Sequence, residues 1–421
     1  MLFCSICCTL TVMKLLYIAD GRSPIALNWI RYFINHRNEV HLVSTYACPS
    51  IEGLASQVVI PLGMSELAGN GFGGQAAWRN WLRNLLPARL RTRFRQWLTP
   101  ISIPRAARTL QAAIDCLQPD LIHAMRIPYE GMLAGEALKL FKQQRLETTK
   151  APLLLSVWGN DFTLHACSTS AMASYTRQAL AYADALHTDC QRDQRLALEF
   201  GFPVSKPAIV MPGAGGVQTD IFYPPEMPID GATGNAEIKF PARVINPRGY
   251  RAYVRNDTFF QAIPLVLEEV PQAVFICPSM HGEADAEKWV RKLGINRQVQ
   301  LLPLLTRPQM AELFRASHIS LSITTHDGTP NTLLEAMACG CFPIAGDIES
   351  LREWIIPGEN GLLVDPSDPR ALAQAIIHAL SHPELLQQGM EKNLQLVKDR
   401  ADYEKVMPQA EGFYQRLIDC Q

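Results

Sequence analysis

The chain has 421 residues, 48% of them hydrophobic and 19% charged, with a formal net charge of −1. That length is ample for two or three domains with cores of their own, and near-neutrality excludes a general electrostatic pull toward nucleic acid. Eleven cysteines are scattered, with one Cys4-Ser5-Ile6-Cys7 pair but no paired metal-type spacing, so they read as thiols of a reducing compartment rather than a disulfide or zinc framework.

Residues 1–12 are apolar and cysteine-rich. They are too few to span a membrane and lack the basic start and small-residue cleavage site of a signal peptide. They read as a dispensable extension ahead of Met13, and no later stretch approaches about 18 unbroken apolar residues. From Met13 apolar strands alternate with helices. Strands are expected at 14–19, 39–44, 57–61, 120–124, 152–157 and 184–188, with helices near 24–36, 105–117, 129–145, 169–182 and 191–200. Such alternation predicts a doubly wound parallel sheet, hence a first domain over 13–210. Gly21-Arg22-Ser23 follows the first strand, His123 ends the fourth, and Trp158-Gly159-Asn160-Asp161 ends the fifth. Strand ends of this kind face a cleft, which makes His123 a cleft candidate.

Residues 78–98 interleave Arg79, Arg83, Arg89, Arg91, Arg93 and Arg95 with Trp78, Trp81, Phe94 and Trp97, and contain no acid. This is the make-up of an interfacial helix pair on an anionic membrane. An acceptor groove or a solvated helix face would use the same residues.

Residues 211–235 are rich in Gly and Pro and read as a linker and hinge. The alternation restarts in a second domain over 236–400. Strands are expected at 241–246, 273–277, 298–302, 317–323, 341–345 and 362–364. Helices are expected at 256–270, 284–293, 307–315, 331–339, 348–356, 369–380 and 383–399. A last amphipathic segment, 401–421, closes the chain. Within this half, residues 327–340 read Asp-Gly-Thr-Pro-Asn-Thr-Leu-Leu-Glu-Ala-Met-Ala-Cys-Gly. Asp327 and Glu335 stand eight positions apart around a Gly328-Thr329-Pro330 turn. Thr329 suits a helix cap and Pro330 the first helical position. Asn331, Thr332 and Leu333 then lie at a positive helix end, which attracts phosphate. Glu335, about a turn further on, suits the vicinal hydroxyls of a ribose.

The string resembles the Glu-x7-Glu donor motif of family 4 glycosyltransferases, retaining enzymes of GT-B fold, with Asp327 in place of the first Glu. The resemblance covers roughly residues 14–400. It implies two Rossmann-like domains facing a cleft, with the C-terminal helix crossing back to the first. It further implies that Arg243 and Arg248 match the family's Arg-x4-Lys-Gly, whose cations grip the donor diphosphate, although Arg251 and Arg255 lie in an insertion that follows. Asp327 and His123 would lie near the transferred sugar, the latter in His123-Ala124-Met125 where the family often has His-x-His. Glu353 matches a Glu of the family's downstream pattern, and the resemblance implies Gly21, Arg22, Ser23, Arg126 and Asp161 as acceptor or cleft residues of the first domain. The implied reaction moves a sugar from a UDP- or GDP-sugar to a hydroxyl of a glycan or lipid-linked glycan, in bacterial surface polysaccharide synthesis. It needs no cofactor, and no Asp-x-Asp metal signal is present. A cytoplasmic enzyme, peripheral on the inner membrane face, is the expected setting. A sugar-nucleotide 2-epimerase of the same fold and a degenerate scaffold subunit are the alternatives.

Overall fold

The computed structural model describes residues 12–63, 88–144, 151–226 and 241–420, and only the backbone of 88–92. Residues 1–11, most of the expected extension, and residues 78–87 of the arginine-rich stretch lie outside the described residues.

The first sheet holds β1 (Lys14–Ala19), β2 (Glu39–Ser44), β3 (Ser56–Val59), β4 (Leu121–Ala124), β5 (Leu153–Val157), β6 (Ala185–Thr188) and β7 (Ala208–Val210). Its order is β3-β2-β1-β4-β5-β6-β7, and every pairing is parallel. β1 shows why: Leu16 and Ile18 pack into one core while Leu15, Tyr17 and Ala19 pack into another. A strand buried on both faces belongs inside a parallel sheet. The helices covering this sheet are α1 (Pro24–Asn35), α2 (Ala88–Leu117), α3 (Met132–Gln143), α4 (Ser170–Tyr182) and α5 (Gln191–Glu199).

The second sheet holds β8 (Arg243–Ile245), β9 (Val274–Cys277), β10 (Val299–Leu301), β11 (Ile319–Ser322), β12 (Phe342–Gly346) and β13 (Leu362–Val364), in the order β10-β9-β8-β11-β12-β13. Around it lie α6 (Asn256–Glu269), α7 (Ala284–Leu293), α8 (Arg307–Arg315), α9 (Asn331–Ala338), α10 (Pro369–Ser381) and α11 (Pro383–Arg400). The strand order reverses beside β1 in one sheet and beside β8 in the other. The carboxyl ends of strands at such a switch point open a crevice that receives ligands.

The chain crosses between the two halves twice, and the crossings touch. Val217 N–H donates to Ala401 O at 2.6 Å, and Tyr403 N–H donates to Val217 O at 3.0 Å. The last helix, α12 (Tyr403–Asp419), then buries Met407, Phe413 and Tyr414 against Trp29 and Phe33 of α1. This is the expected return to the first half. Two expectations fail locally. α2 starts at 88 rather than 105, because the helix runs straight through Pro100 and Pro104, which sequence reading takes as breakers. The helix expected at 348–356 is a single 3-10 turn, Leu351–Glu353. No helix of the described residues is long and apolar enough to cross a membrane.

Candidate functional site

The tip of α9 is the polar focus of the second half. Pro330, not Thr329, is its capping residue, and it offers no side-chain cap. Leu333 and Leu334 N–H both turn back to Pro330 O, at 3.0 and 3.3 Å. Leu333 therefore contributes no free donor, and its side chain is buried in the core behind the helix. Asn331 and Thr332 N–H have no backbone acceptor, as the first N–H groups of a helix lack an intrahelical one, and the Asp327 carbonyl, four residues before Asn331, is taken by Arg192 and Ser350. Two unsatisfied N–H groups at a helix start make an anion cradle.

Arg248 stands beside that cradle. Its guanidinium pairs with the Asp327 carboxylate and donates to Thr332 Oγ1 at 3.3 Å. Exposed Arg251 bonds Tyr253 Oη at 3.0 Å and is within electrostatic reach of Asp327. Arg255 is committed elsewhere, to Asp257 and Ser367. Arg243 does not join them. It is the first residue of β8, exposed, at the opposite edge of the sheet from the cradle. A parallel strand presents its ligand-facing groups at its carboxyl end, so the spacing that matched Arg243 to a phosphate cation is misleading.

Glu335 lies on α9, mostly buried, with Arg307 Nη2 at 3.7 Å. Burial pushes its carboxyl up to about 7, against the pull of that guanidinium. Arg307 in turn donates to Gln218 Oε1 at 2.6 Å and Asn28 Oδ1 at 3.4 Å. It thus ties the α9 carboxylate to the crossing segment and to α1. Sequence reading missed Arg307, which sits in no motif.

Opposite, the first half offers a cavity of about 250 Å³ lined by Asp20, Ser23, Tyr46, Arg95, Met125, Arg126, Glu130 and Trp158. Ser23 and Arg126, both named from the sequence as cleft residues, are among them. Arg22 covers the Tyr46 ring at 3.7 Å and pairs with Asp20 at 2.9 Å. Gly21 supplies close packing: a Cβ there would fall 2.5 Å from Cys48 Sγ.

Two expected residues are not available. Asp161 is fully buried and accepts from Arg126, Ile127 N–H and Trp158 N–H. It braces the loop instead of touching a sugar. His123 is also fully buried; its Nδ1 meets Tyr414 Oη and its Nε2 meets Ser156 Oγ at 2.7 Å. Burial, then the neighbouring His187, drives its pKa well down. It holds the C-terminal helix to the sheet and does not face the cleft. The turn after it, Ile127–Gly131, is not regular helix: Pro128 has φ −63° and ψ 124°, and Tyr129 has φ 77° and ψ −65°. A bulky residue in that region marks strain held by its surroundings, and the same turn carries Glu130 of the cavity lining.

The two halves touch at their loops. A Cβ on Gly159 would lie 1.5 Å from Gly328 N, so the two backbones are in contact and only glycine fits. Arg192 is the buried clasp: it donates to Gly159 O at 2.7 Å, Asp327 O at 2.6 Å and Ser350 Oγ at 3.1 Å, while Asp193 holds its charge. Thr329 Oγ1 donates to Asp189 O and accepts from Trp354 Nε1. Thr329 therefore serves this contact rather than the anion cradle. Glu353 accepts from Gln191 and Arg192 N–H, capping α5 of the other half. Asp189, Cys190 and Asp193 bring potential ligand atoms within 4.8 Å of one another, but Arg192 already supplies the cation there.

Residues 248–395 match a family model described as glycosyl transferases group 1, and residues 51–213 match the glycosyl transferase 4-like domain. The D-inositol 3-phosphate glycosyltransferase of Thermobispora bispora is 27% identical over 221 residues, 50% of each chain. That of Corynebacterium urealyticum is 28% identical over 184 residues, 41% of this chain and 43% of that one. The chain spans about half the length of the curated relatives it matches. Sucrose-phosphate synthase from Thermosynechococcus elongatus superposes with a TM-score of 0.70 at 15% identity, covering 97% of this chain and 100% of that chain. Anabaena HepE in complex with UDP and glucose gives 0.68 at 14%, covering 96% and 100%. At these identities the likeness is one of fold, the two Rossmann-like domains of GT-B.

Proposed function

We propose that this chain, which belongs to the group 1 glycosyltransferases, moves a sugar from a nucleoside-diphosphate donor held at α9 to a hydroxyl of an acceptor held in the first-domain cavity. The observation that carries this reading is the cluster at one helix tip: unbonded Asn331 and Thr332 N–H, Arg248 beside them, and Glu335 behind. The N–H groups and Arg248 suit the diphosphate, and Glu335 suits the ribose hydroxyls. The crystallised complex of HepE with UDP and glucose and the glycosyltransferase relatives support a nucleotide-sugar donor.

Transfer proceeds with retention. The C1–oxygen bond to the diphosphate breaks, the acceptor oxygen joins C1 on the same face, and its proton passes to the departing diphosphate oxygen. No side-chain base is required, consistent with the burial of His123. Arg248 stabilises the charge that grows on the leaving group, exchanging part of its contact with Asp327 for phosphate. Asp327 is then released toward the transferred sugar. A glycan or lipid-linked glycan of a bacterial surface polymer is the acceptor. The arginine-rich stretch draws the protein to the inner face of an anionic membrane. Phe94, Trp97 and Ile101, exposed at 53, 71 and 72% and spaced three and four apart on α2, favour that second point. Arg95 does not belong to that surface, since it lines the cavity.

Incubating the protein with UDP- and GDP-sugars tests the reading. Slow release of free nucleotide from one donor, lost in Arg248→Gln, is expected. A protein that neither binds nor cleaves any of them is not a transferase. Proton NMR of the product's anomeric signal tests retention.

A further inference from the structure

The cavity opposite α9 contains a cation with nothing to bind. Arg95 lies on α2 with its guanidinium over the Tyr129 ring at 4.0 Å and the Tyr46 ring at 4.9 Å. The other two arginines there are committed, Arg22 to Asp20 and Arg126 to Asp161. Among the described residues Arg95 makes no hydrogen bond and no ion pair. Its neighbour Glu130 spends one oxygen on Thr45 Oγ1, and burial raises its pKa against the pull of Arg126, Thr45 and Arg95. The wall around Arg95 carries further unmet polar capacity. Tyr129 Oη, Trp158 Nε1, Arg126 Nε and Glu130 Oε2 are all buried without a partner. Buried polar atoms left unpaired call for an explanation, and an absent ligand is one.

Two aromatic faces fix the plane of the Arg95 fork before anything binds. A fixed fork matches two oxygens of one oxyanion and loses little freedom on meeting it. Three of the four orphaned groups are donors or can donate, which again suits an acceptor-rich ligand. Glu130 suits a hydroxyl beside it. At about 250 Å³ the space lies below the usual drug-sized range of about 300–1,000 Å³, so it fits one sugar or polyol unit.

We propose that the acceptor unit seated in this cavity is a sugar or polyol bearing an oxyanion, phosphate or carboxylate, and that Arg95 binds this group. The proposal rests on the reading of the cavity as the acceptor side of a glycosyltransferase. The test is calorimetry on the full chain with UDP present, using glucose 6-phosphate, inositol phosphate and glucuronate, each against its neutral counterpart. Vesicles of phosphatidylinositol in phosphatidylcholine, against phosphatidylcholine alone, form a second arm. At least one anionic probe should bind about tenfold or more tighter than its neutral partner. Arg95→Gln should erase that preference, and Arg95→Lys should restore part of it. A preference confined to the vesicles assigns the oxyanion to a lipid headgroup, and one confined to the soluble probes to a free sugar acid or phosphate. Equal binding of anionic and neutral probes, or a preference that survives Arg95→Gln, overturns the proposal. UDP affinity is measured on the same samples. If UDP binds while the anion preference is missing, this inference alone falls; if UDP does not bind, the donor reading falls with it.

Discussion

The two walls of the cleft are built in different ways. The donor wall is nearly one piece of chain: Asp327 to Glu335 supply the helix tip, both carboxylates and the free N–H groups, and Arg248 reaches in from the end of β8. The opposite wall is assembled from five places, the ends of β1, β2, β4 and β5 and the flank of α2, to bring Asp20, Tyr46, Arg126, Trp158 and Arg95 around one cavity. A helix terminus concentrates its chemistry in a few consecutive residues, because its unpaired N–H groups are local by construction. A cavity between strand ends depends on how distant loops meet. The two walls also differ in how their charges are paired. Asp327 and Glu335 each face an arginine, whereas among the described residues Arg95 makes no ion pair with a carboxylate.

The largest effect should come from forcing these walls apart. Gly159→Ala puts a methyl where the Gly328 backbone lies. The shift it demands is on the scale that costs ~100-fold or more in turnover when reacting groups are misplaced. Nucleotide affinity should fall less than turnover, because the contact lies at Gly328, ahead of the α9 cap, and not on the Asn331 and Thr332 N–H groups or the Arg248 guanidinium themselves. Steady-state kinetics with calorimetry checks both halves, and an unchanged kcat would mean that the Gly159–Gly328 contact is not needed for transfer.

Next in size is the donor carboxylate. Glu335→Gln removes a charged acceptor whose hydrogen bonds contribute about 1.5–3 kcal/mol, so donor binding should weaken roughly 10–100-fold. Gly159→Ala and Glu335→Gln should thus show opposite splits between kcat and Kd, which separates positioning across the cleft from recognition on one wall.

The contrast between the walls also explains what could be read without the fold. The parallel strand–helix alternation of the two halves and the α9 motif were legible, because they rest on periodicity and on one contiguous string, and the return of the C-terminal helix followed from the family resemblance. Arg95 was not. Its arginine-rich surroundings read as a lipid-facing stripe, and nothing local says that this one side chain folds back over Tyr46 and Tyr129. Arg243 failed for a geometric reason. The Arg-x4-Arg spacing matches, yet β8 begins at Arg243, and each extended residue advances about 3.3 Å. Its side chain is therefore left well short of the carboxyl edge. His123 sits at a strand end as expected, but α12 covers it from above. A partner that arrives from some 290 positions along the chain, Tyr414, cannot be anticipated from the strand. Thr329 likewise looked like a cap, and a loop of the other domain claimed its hydroxyl.

The pH dependence of donor binding offers a smaller effect. Only ionised Glu335 accepts from both ribose hydroxyls, and its pKa stands near 7. Affinity for an intact nucleotide sugar should therefore rise as pH goes from about 6 to 8, by up to roughly tenfold. A titration series over that range checks it, and a flat profile would mean that the donor does not contact this carboxylate. The smallest effect is expected from Arg307→Gln. Losing the only charge that lowers the Glu335 pKa should shift that profile to higher pH, with a few-fold loss near neutrality that recedes in alkali. A loss equal at every pH would assign Arg307 to the crossing segment and Asn28 alone.

The most direct test of the account is one calorimetric series of UDP- and GDP-sugars against the unmodified chain, Arg248→Gln, Glu335→Gln, Arg243→Gln and His123→Gln. The account predicts that at least one donor binds saturably, that Arg248→Gln and Glu335→Gln each weaken it about tenfold or more, and that Arg243→Gln and any folded His123→Gln bind as the parent does. Weakening by Arg243→Gln equal to that by Arg248→Gln, or no binding of any donor, would contradict it.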